Sequence, residues 1–131
     1  MFFVCYQGMK VLFAGNENLM IPVAEKLKTV DADNLSIKTS PADPLAILSD
    51  VLHMKPRLLV LDDYNLQDQA TKLLRKIREV HPNIKIIFLT DNPDMQYGKS
   101  VASIGVDYYA IKPISDENIF KAICSIARIT H

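Results

Sequence analysis

Asp62, Thr90 and Lys112 differ in chemistry but share one kind of position. Asp62 closes Leu58-Leu-Val-Leu-Asp62, Thr90 closes Ile84-Lys-Ile-Ile-Phe-Leu-Thr90, and Lys112 follows Tyr108-Tyr-Ala-Ile111 just before Pro113. Read as successive buried strands, these runs bring an acid, a hydroxyl and a cation to the carboxyl ends of a parallel sheet. That edge is where open α/β sheets bind their ligands. The set is what a phosphoacceptor needs: a carboxylate to take the phosphoryl group, with a hydroxyl and an ammonium to hold its oxygens. Each residue alone has a plainer reading. An Asp at a strand end is often a turn or capping residue, Thr commonly ends a β-branched run, and a Lys is usually solvated. Joint spacing within a regular frame carries the argument.

The frame is a fivefold alternation of strand and helix patterns. Val11 to Ala14 is wholly apolar, as suits a strand buried on both faces. Met20, Val23, Leu27 and Val30 recur at helical spacing, with Pro22 expected in the first turn, where a proline is tolerated. Leu35-Ser-Ile-Lys38 alternates like a strand nearer the edge. Leu45, Leu48 and Leu52 mark a second helix over 43–54. Leu73, Ile77 and Val80 mark a third, stopped by His81-Pro82-Asn83. A weaker helix over 94–104 ends at Gly105, a C-cap signal. Ser115 caps the last helix, with Asp116 and Glu117 in its first turn and Ile119, Ile123 and Ile126 on its core side. Parallel strands require right-handed helical crossovers, so the expected fold is α/β: a sheet with helices on both faces.

From Lys10 to Arg128 the chain resembles the receiver domains of bacterial two-component response regulators, which are CheY-like. The resemblance implies a single flavodoxin-like (βα)5 domain with strand order 2-1-3-4-5. It also implies Asp62 as phosphoacceptor, Thr90 and Tyr109 as switch residues, Lys112 as phosphate-binding residue, and a cis bond before Pro113. Gly105-Val-Asp-Tyr-Tyr109 follows the family's Gly-Ala-Asp-Asp-Tyr pattern closely.

One departure matters most. Receivers usually carry two adjacent acids after the first strand, which hold a divalent metal together with the phosphoacceptor. Here Gly15 and Asn16 occupy those positions. Glu17 does not replace them, because the family often has a glutamate there as well. Mg²⁺ is a hard cation that binds through carboxylates and water. Only Asp62, Tyr64 and Asn16 remain to hold it, so Mg²⁺ binding is expected to be weak and phosphorylation slowed. Restoring both acids, Gly15→Asp with Asn16→Asp, is expected to raise Mg²⁺ affinity. Leu66 and Ala70 stand where the family usually has Pro and Gly. Asp91 stands where a small residue normally leaves the phosphate open; for Asp91 and Asp63 alike the favoured reading is a solvated loop acid, the alternative being a substitute metal ligand.

Composition bounds the rest. The 131 residues make one domain, with 9–131 receiver-like and 1–8 an apolar extension too short for a signal peptide. Those eight residues add an edge strand, cover an apolar patch or stay unstructured, and Met9 is an alternative start. Fifteen basic residues balance fifteen acidic ones, so charge suggests neither nucleic acid nor membrane as partner. No apolar run approaches a membrane span. Cys5 and Cys124 are isolated thiols, fitting a reducing cytoplasm, and His53, His81 and His131 lack metal-ligand spacing. Lys72, Arg75, Lys76 and Arg78 read as a solvated helix face.

The expected function is that of an atypical receiver: an interaction or switch module with weakened or lost phosphorylation. It is no enzyme beyond self-catalysed transfer onto Asp62. The alternative is a working single-domain regulator phosphorylated on Asp62 by a histidine kinase or phosphotransfer protein. A homodimer through the fourth helix, fifth strand and fifth helix is a further expectation from the family. A small-molecule enzyme on the same fold is the least favoured, because fold alone does not fix function.

Overall fold

The computed structural model describes residues 9–31, 35–66 and 68–127. The expectations for 1–8, Cys5 and His131 therefore lie outside the described residues. Strands β1 (Met9–Ala14), β2 (Leu35–Ser40), β3 (Leu58–Asp62), β4 (Lys85–Thr90) and β5 (Tyr108–Ile111) form one parallel sheet in the order β2-β1-β3-β4-β5. Helices α1 (Glu17–Asp31), α2 (Pro44–Met54), α3 (Gln69–Val80), α4 (Met95–Ile104) and α5 (Asp116–Ala127) connect and follow them. This is the expected flavodoxin-like arrangement.

The central strands explain why this order is stable. Every residue of β3 is buried, as is all of β4 after Lys85. Side chains alternate between two cores. Val11, Phe13, Leu58, Val60, Ile87 and Leu89 pack under α1 and α5. Leu12, Leu59, Leu61, Ile86 and Phe88 pack under α2, α3 and α4. The pairings Leu61 with Phe88 and Leu89 with Ala110 bring the carboxyl ends of β3, β4 and β5 level.

Two expectations about helix faces and one about a proline's place in its helix are corrected. In α2, Leu45 and Leu52 are 78% and 48% exposed, while Ile47 and Val51 are buried. That helix carries apolar residues almost all round, so periodicity could not choose its inner face. In α3, Val80 is 42% exposed, and Ala70 and Leu74 complete the buried face with Leu73 and Ile77. Pro22 lies in the second turn of α1, not the first, because α1 begins at Glu17.

Helix ends follow local chemistry. Asp43 accepts from Ala46 N at 3.0 Å to cap α2, and Ser115 Oγ accepts from Asn118 N at 3.1 Å at the start of α5. Gly105 closes α4 with φ +98°. Arg78 is not part of a solvated face: its guanidinium donates to the carbonyls of Pro82, Ile84 and Gly105. It thereby ties α3 to the chain entering β4 and to the α4–β5 turn. Lys72, Arg75 and Lys76 are exposed as expected.

Candidate functional site

The site forms where β1, β3, β4 and β5 end. Asp62 is the last residue of β3 and is 0% exposed. Both of its carboxylate oxygens accept from Lys112 Nζ, at 2.8 and 2.9 Å, and Oδ1 also accepts from Tyr64 N at 3.0 Å. Burial pushes the Asp62 carboxyl above its ordinary value, against the pull of Lys112 and the Tyr64 amide. For Lys112, burial acts downward, but the bonds and charges of Asp62 and Asp91 outweigh it and hold the ammonium above its usual value. Asp91 Oδ2 lies 3.2 Å from the same Nζ, from a largely exposed side chain. Lys112 thus serves two carboxylates. The Lys112–Pro113 peptide is cis.

Thr90 is fully buried at the end of β4, and its hydroxyl bonds to Asp63, the neighbour of Asp62. Its Oγ1 donates to Asp63 Oδ2 at 2.6 Å and accepts from Asn92 N at 3.0 Å. The same Asp63 oxygen accepts from Tyr97 OH at 2.7 Å. Burial, then the Asp63 hydrogen bond and charge, raise the Tyr97 phenol above its ordinary value. Tyr109 stacks on Phe88 with ring centroids 5.9 Å apart and planes 13° apart. Its hydroxyl is buried without a hydrogen-bond partner among the described residues and fits beside Gly98, where an added Cβ would lie 3.4 Å away.

Opposite Asp62, the end of β1 supplies no acid. Gly15 has φ +117°, and a Cβ there would lie 2.5 Å from the Asp62 carbonyl oxygen and 2.9 Å from Asp62 Cβ. Contacts this close force a shift of backbone. Gly15 N also donates to Ser40 O at 3.2 Å, which anchors the turn. The double acid replacement expected to raise Mg²⁺ affinity would therefore strain the strand end, and Asn16→Asp is the cleaner change. Asn16 caps α1: its Oδ1 accepts from Asn18 N at 3.1 Å, and its carbonyl accepts from Leu19 N and Met20 N.

A hard divalent cation does not fit these groups well. Of Asp62, Tyr64 and Asn16, the residues expected to bind it, Asp62 alone is a carboxylate, and Lys112 already spans both its oxygens. Among the described residues, no group of three His, Cys, Asp or Glu side chains is arranged to hold a metal ion.

A cleft of about 630 Å³ opens beside Asp62 between the ends of β3 and β4 and helices α3 and α4, and its lining includes Asp63, Tyr64, Asp68, Thr71, Asp91 and Tyr97. Sequence reading anticipated Asp62, Thr90 and Lys112 at one edge, and the fold ends β3, β4 and β5 there with these residues, while Tyr109 lies further back on β5, stacked on Phe88 and beside Gly98 of α4. It missed Tyr97 and the role of Asp63. A signal existed: helices following parallel strands begin at the carboxyl edge, so a tyrosine in the first turn of α4 faces the site. Leu66 and Ala70 are buried in the α3 core. His53 is exposed, while His81 Nε2 pairs with the Pro56 carbonyl at 2.9 Å.

The family profile described as "Response regulator receiver domain" matches residues 11–124. The "Uncharacterized transcriptional regulatory protein YesN" of Bacillus subtilis (strain 168) is 19% identical over 114 residues, covering 87% of this chain and 31% of that protein. The chain thus spans about a third of this relative. A CheY-like receiver domain protein from Methanospirillum hungatei JF-1 superposes with TM-score 0.74 at 16% identity, covering 93% of this chain and 95% of that one. The isolated receiver domain of RcsB from Salmonella enterica serovar Typhimurium, solved with phosphomimetic BeF3−, gives 0.76 at 17%, covering 93% and 90%.

Proposed function

The chain belongs to the response regulator receiver domain family, a module of two-component signalling, and from that premise we propose that it is an atypical receiver. It works as a protein-interaction and switch module whose Mg²⁺-dependent phosphorylation on Asp62 is weakened. The observation that carries this reading is the end of β1. Gly15 is pressed against the Asp62 backbone, leaving no room for a side chain, and the Asn16 side chain caps α1. Asp62 compounds the effect. It is fully buried, with both oxygens on Lys112, so an acyl phosphate meets a covered nucleophile. Asp91 adds a negative charge beside the same lysine, and like charge disfavours an approaching phosphate.

The alternative, a working single-domain regulator, draws on the retention of Asp62, Thr90, Tyr109 and Lys112. Phosphorylation would add about −1.5 to −2 charge there, with Lys112 placed to pair one oxygen. In either version the partner is a histidine kinase, a phosphotransfer protein or another signalling protein. The face of α4, β5 and α5 is the docking surface in this proposal, with Met95 and Ile111 exposed on it. A cytoplasmic location belongs to the same reading. Among the described residues no helix is long and apolar enough to cross a membrane.

Calorimetric Mg²⁺ titration of the wild type and Asn16→Asp tests the premise. Asp caps a helix as well as Asn does, so the variant keeps α1 while adding a carboxylate. Affinity is expected to rise by about tenfold, as for one added charged contact worth about 1.4 kcal/mol. Tight binding by the wild type, unchanged in the variant, would contradict the reading.

A further inference from the structure

We propose that Asp63, Thr90 and Tyr97 form a latch that fastens the first turn of α4 to the phosphoacceptor edge and holds the Thr90 hydroxyl away from Asp62. The hydrogen bonds close a ring. Thr90 Oγ1 donates to Asp63 Oδ2 at 2.6 Å and accepts from Asn92 N at 3.0 Å. Asn92 Oδ1 accepts from Asp94 N at 2.9 Å, and Asp94 Oδ1 accepts from Gln96 N at 3.3 Å as the cap of α4. One residue further on, Tyr97 OH returns to Asp63 Oδ2 at 2.7 Å. The ring therefore runs from β3 to β4, through the loop into α4, and back.

Two features make this a latch and not merely packing. A threonine hydroxyl has one proton. While Thr90 gives it to Asp63, it has none to give to any group on Asp62. Second, one carboxylate oxygen receives hydroxyls from two different elements, and bonds to an ionised acceptor are stronger than neutral ones. Loss of either donor leaves the other bond in altered surroundings, so β4 and α4 share a single acceptor and their states are coupled. Tyr97 packs at a tilt on Phe88, 6.2 Å between centroids, which is also the ring that Tyr109 stacks upon. Movement of α4 is thereby felt at the switch tyrosine.

The proposal deepens the receiver reading but is tested without phosphorylation, so the two can fail separately. Amide hydrogen exchange would be followed in the intact chain for the wild type, Tyr97→Phe, Thr90→Val and the double variant. Both single variants keep the shape of the side chain they replace. Each is expected to speed exchange across α4 by about tenfold or more, leaving α3 unchanged. Coupling predicts that the double variant is little faster than either single one. Unchanged α4 exchange in Tyr97→Phe overturns the latch. So does a double variant whose effect is the product of the two singles, because the residues would then act independently. Asp63→Ala, which removes the shared acceptor, is expected to match the double variant, and a wild-type rate there also overturns the proposal. Phosphoryl gain by mass spectrometry reports on the receiver reading alone.

Discussion

Replacing Gly15 with alanine measures how tightly the end of β1 is pressed onto Asp62. The backbone at Gly15 has φ +117°, beyond the left-handed region that Asn or Asp tolerate, and holding a non-glycine residue in such a conformation costs about 1–3 kcal/mol. The added Cβ would also meet the Asp62 carbonyl oxygen at 2.5 Å and Asp62 Cβ at 2.9 Å. Relief of that overlap must come from two backbones in the centre of the sheet, and overpacking of this kind costs about 1–3 kcal/mol. Together the two terms predict a loss of about 3–4 kcal/mol. With a urea slope of about 1.5–2 kcal/mol per molar, the unfolding midpoint should fall by about 2 M. Gly105→Ala is the internal control. Its φ is +98°, but nothing lies within 4 Å of the added atom, so backbone strain acts alone and the loss should be about 1–2 kcal/mol. Parallel urea denaturation of both variants isolates the contact with Asp62. A Gly15→Ala loss no larger than that of Gly105→Ala would refute the close approach and, with it, the reason position 15 cannot carry an acid.

Two further outcomes follow from the same site. Burial raises the Asp62 carboxyl above its ordinary 3.8 in the folded chain, so the native form holds that proton more firmly than the unfolded form. Above the folded value both forms are ionised and the native state bears the whole cost of burying the charge; below about 3.8 both are protonated and the cost is gone. The wild type should therefore lose stability relative to Asp62→Asn as pH rises through that window; thermal melts in which the wild type instead gains on the variant over the same rise would contradict the sign. Tyr109→Phe removes a buried hydroxyl without a partner among the described residues, so it should stabilise by up to about 1 kcal/mol, where losing a satisfied hydroxyl would destabilise by a similar amount.

What could be read from the sequence depended on how many partners each feature needed. Leu58 to Leu61 and Ile84 to Leu89 declare themselves because a parallel strand buried on both faces must be apolar throughout. Asp62, Thr90 and Lys112 were placed together by topology alone, since successive parallel strands end at the same edge. The inner face of α2 was not legible, because Leu45, Ile47, Leu48, Val51 and Leu52 offer competing stripes and only tertiary packing selects Ile47 and Val51. Nor was the direction of the Thr90 hydroxyl. It depends on Asp63 and on Tyr97, brought together by a helix whose pattern is weak. Arg78 looked like one of four surface cations, and only the meeting of the α3–β4 and α4–β5 connections gives its guanidinium three carbonyls. The empty acid positions, by contrast, were visible at once. Their consequence was sharpened by geometry: Gly15 is held by a close approach, and Asn16 by its cap.

The most direct test of the central claim is intact-mass spectrometry of the chain incubated with Mg²⁺ and a small acyl-phosphate donor, beside Asp62→Asn and Asn16→Asp. The account predicts slow, substoichiometric gain of one phosphoryl group by the wild type, none by Asp62→Asn, and a faster gain by Asn16→Asp. Rapid, complete phosphorylation of the wild type that is lost in Asp62→Asn would contradict it and establish a fully working receiver.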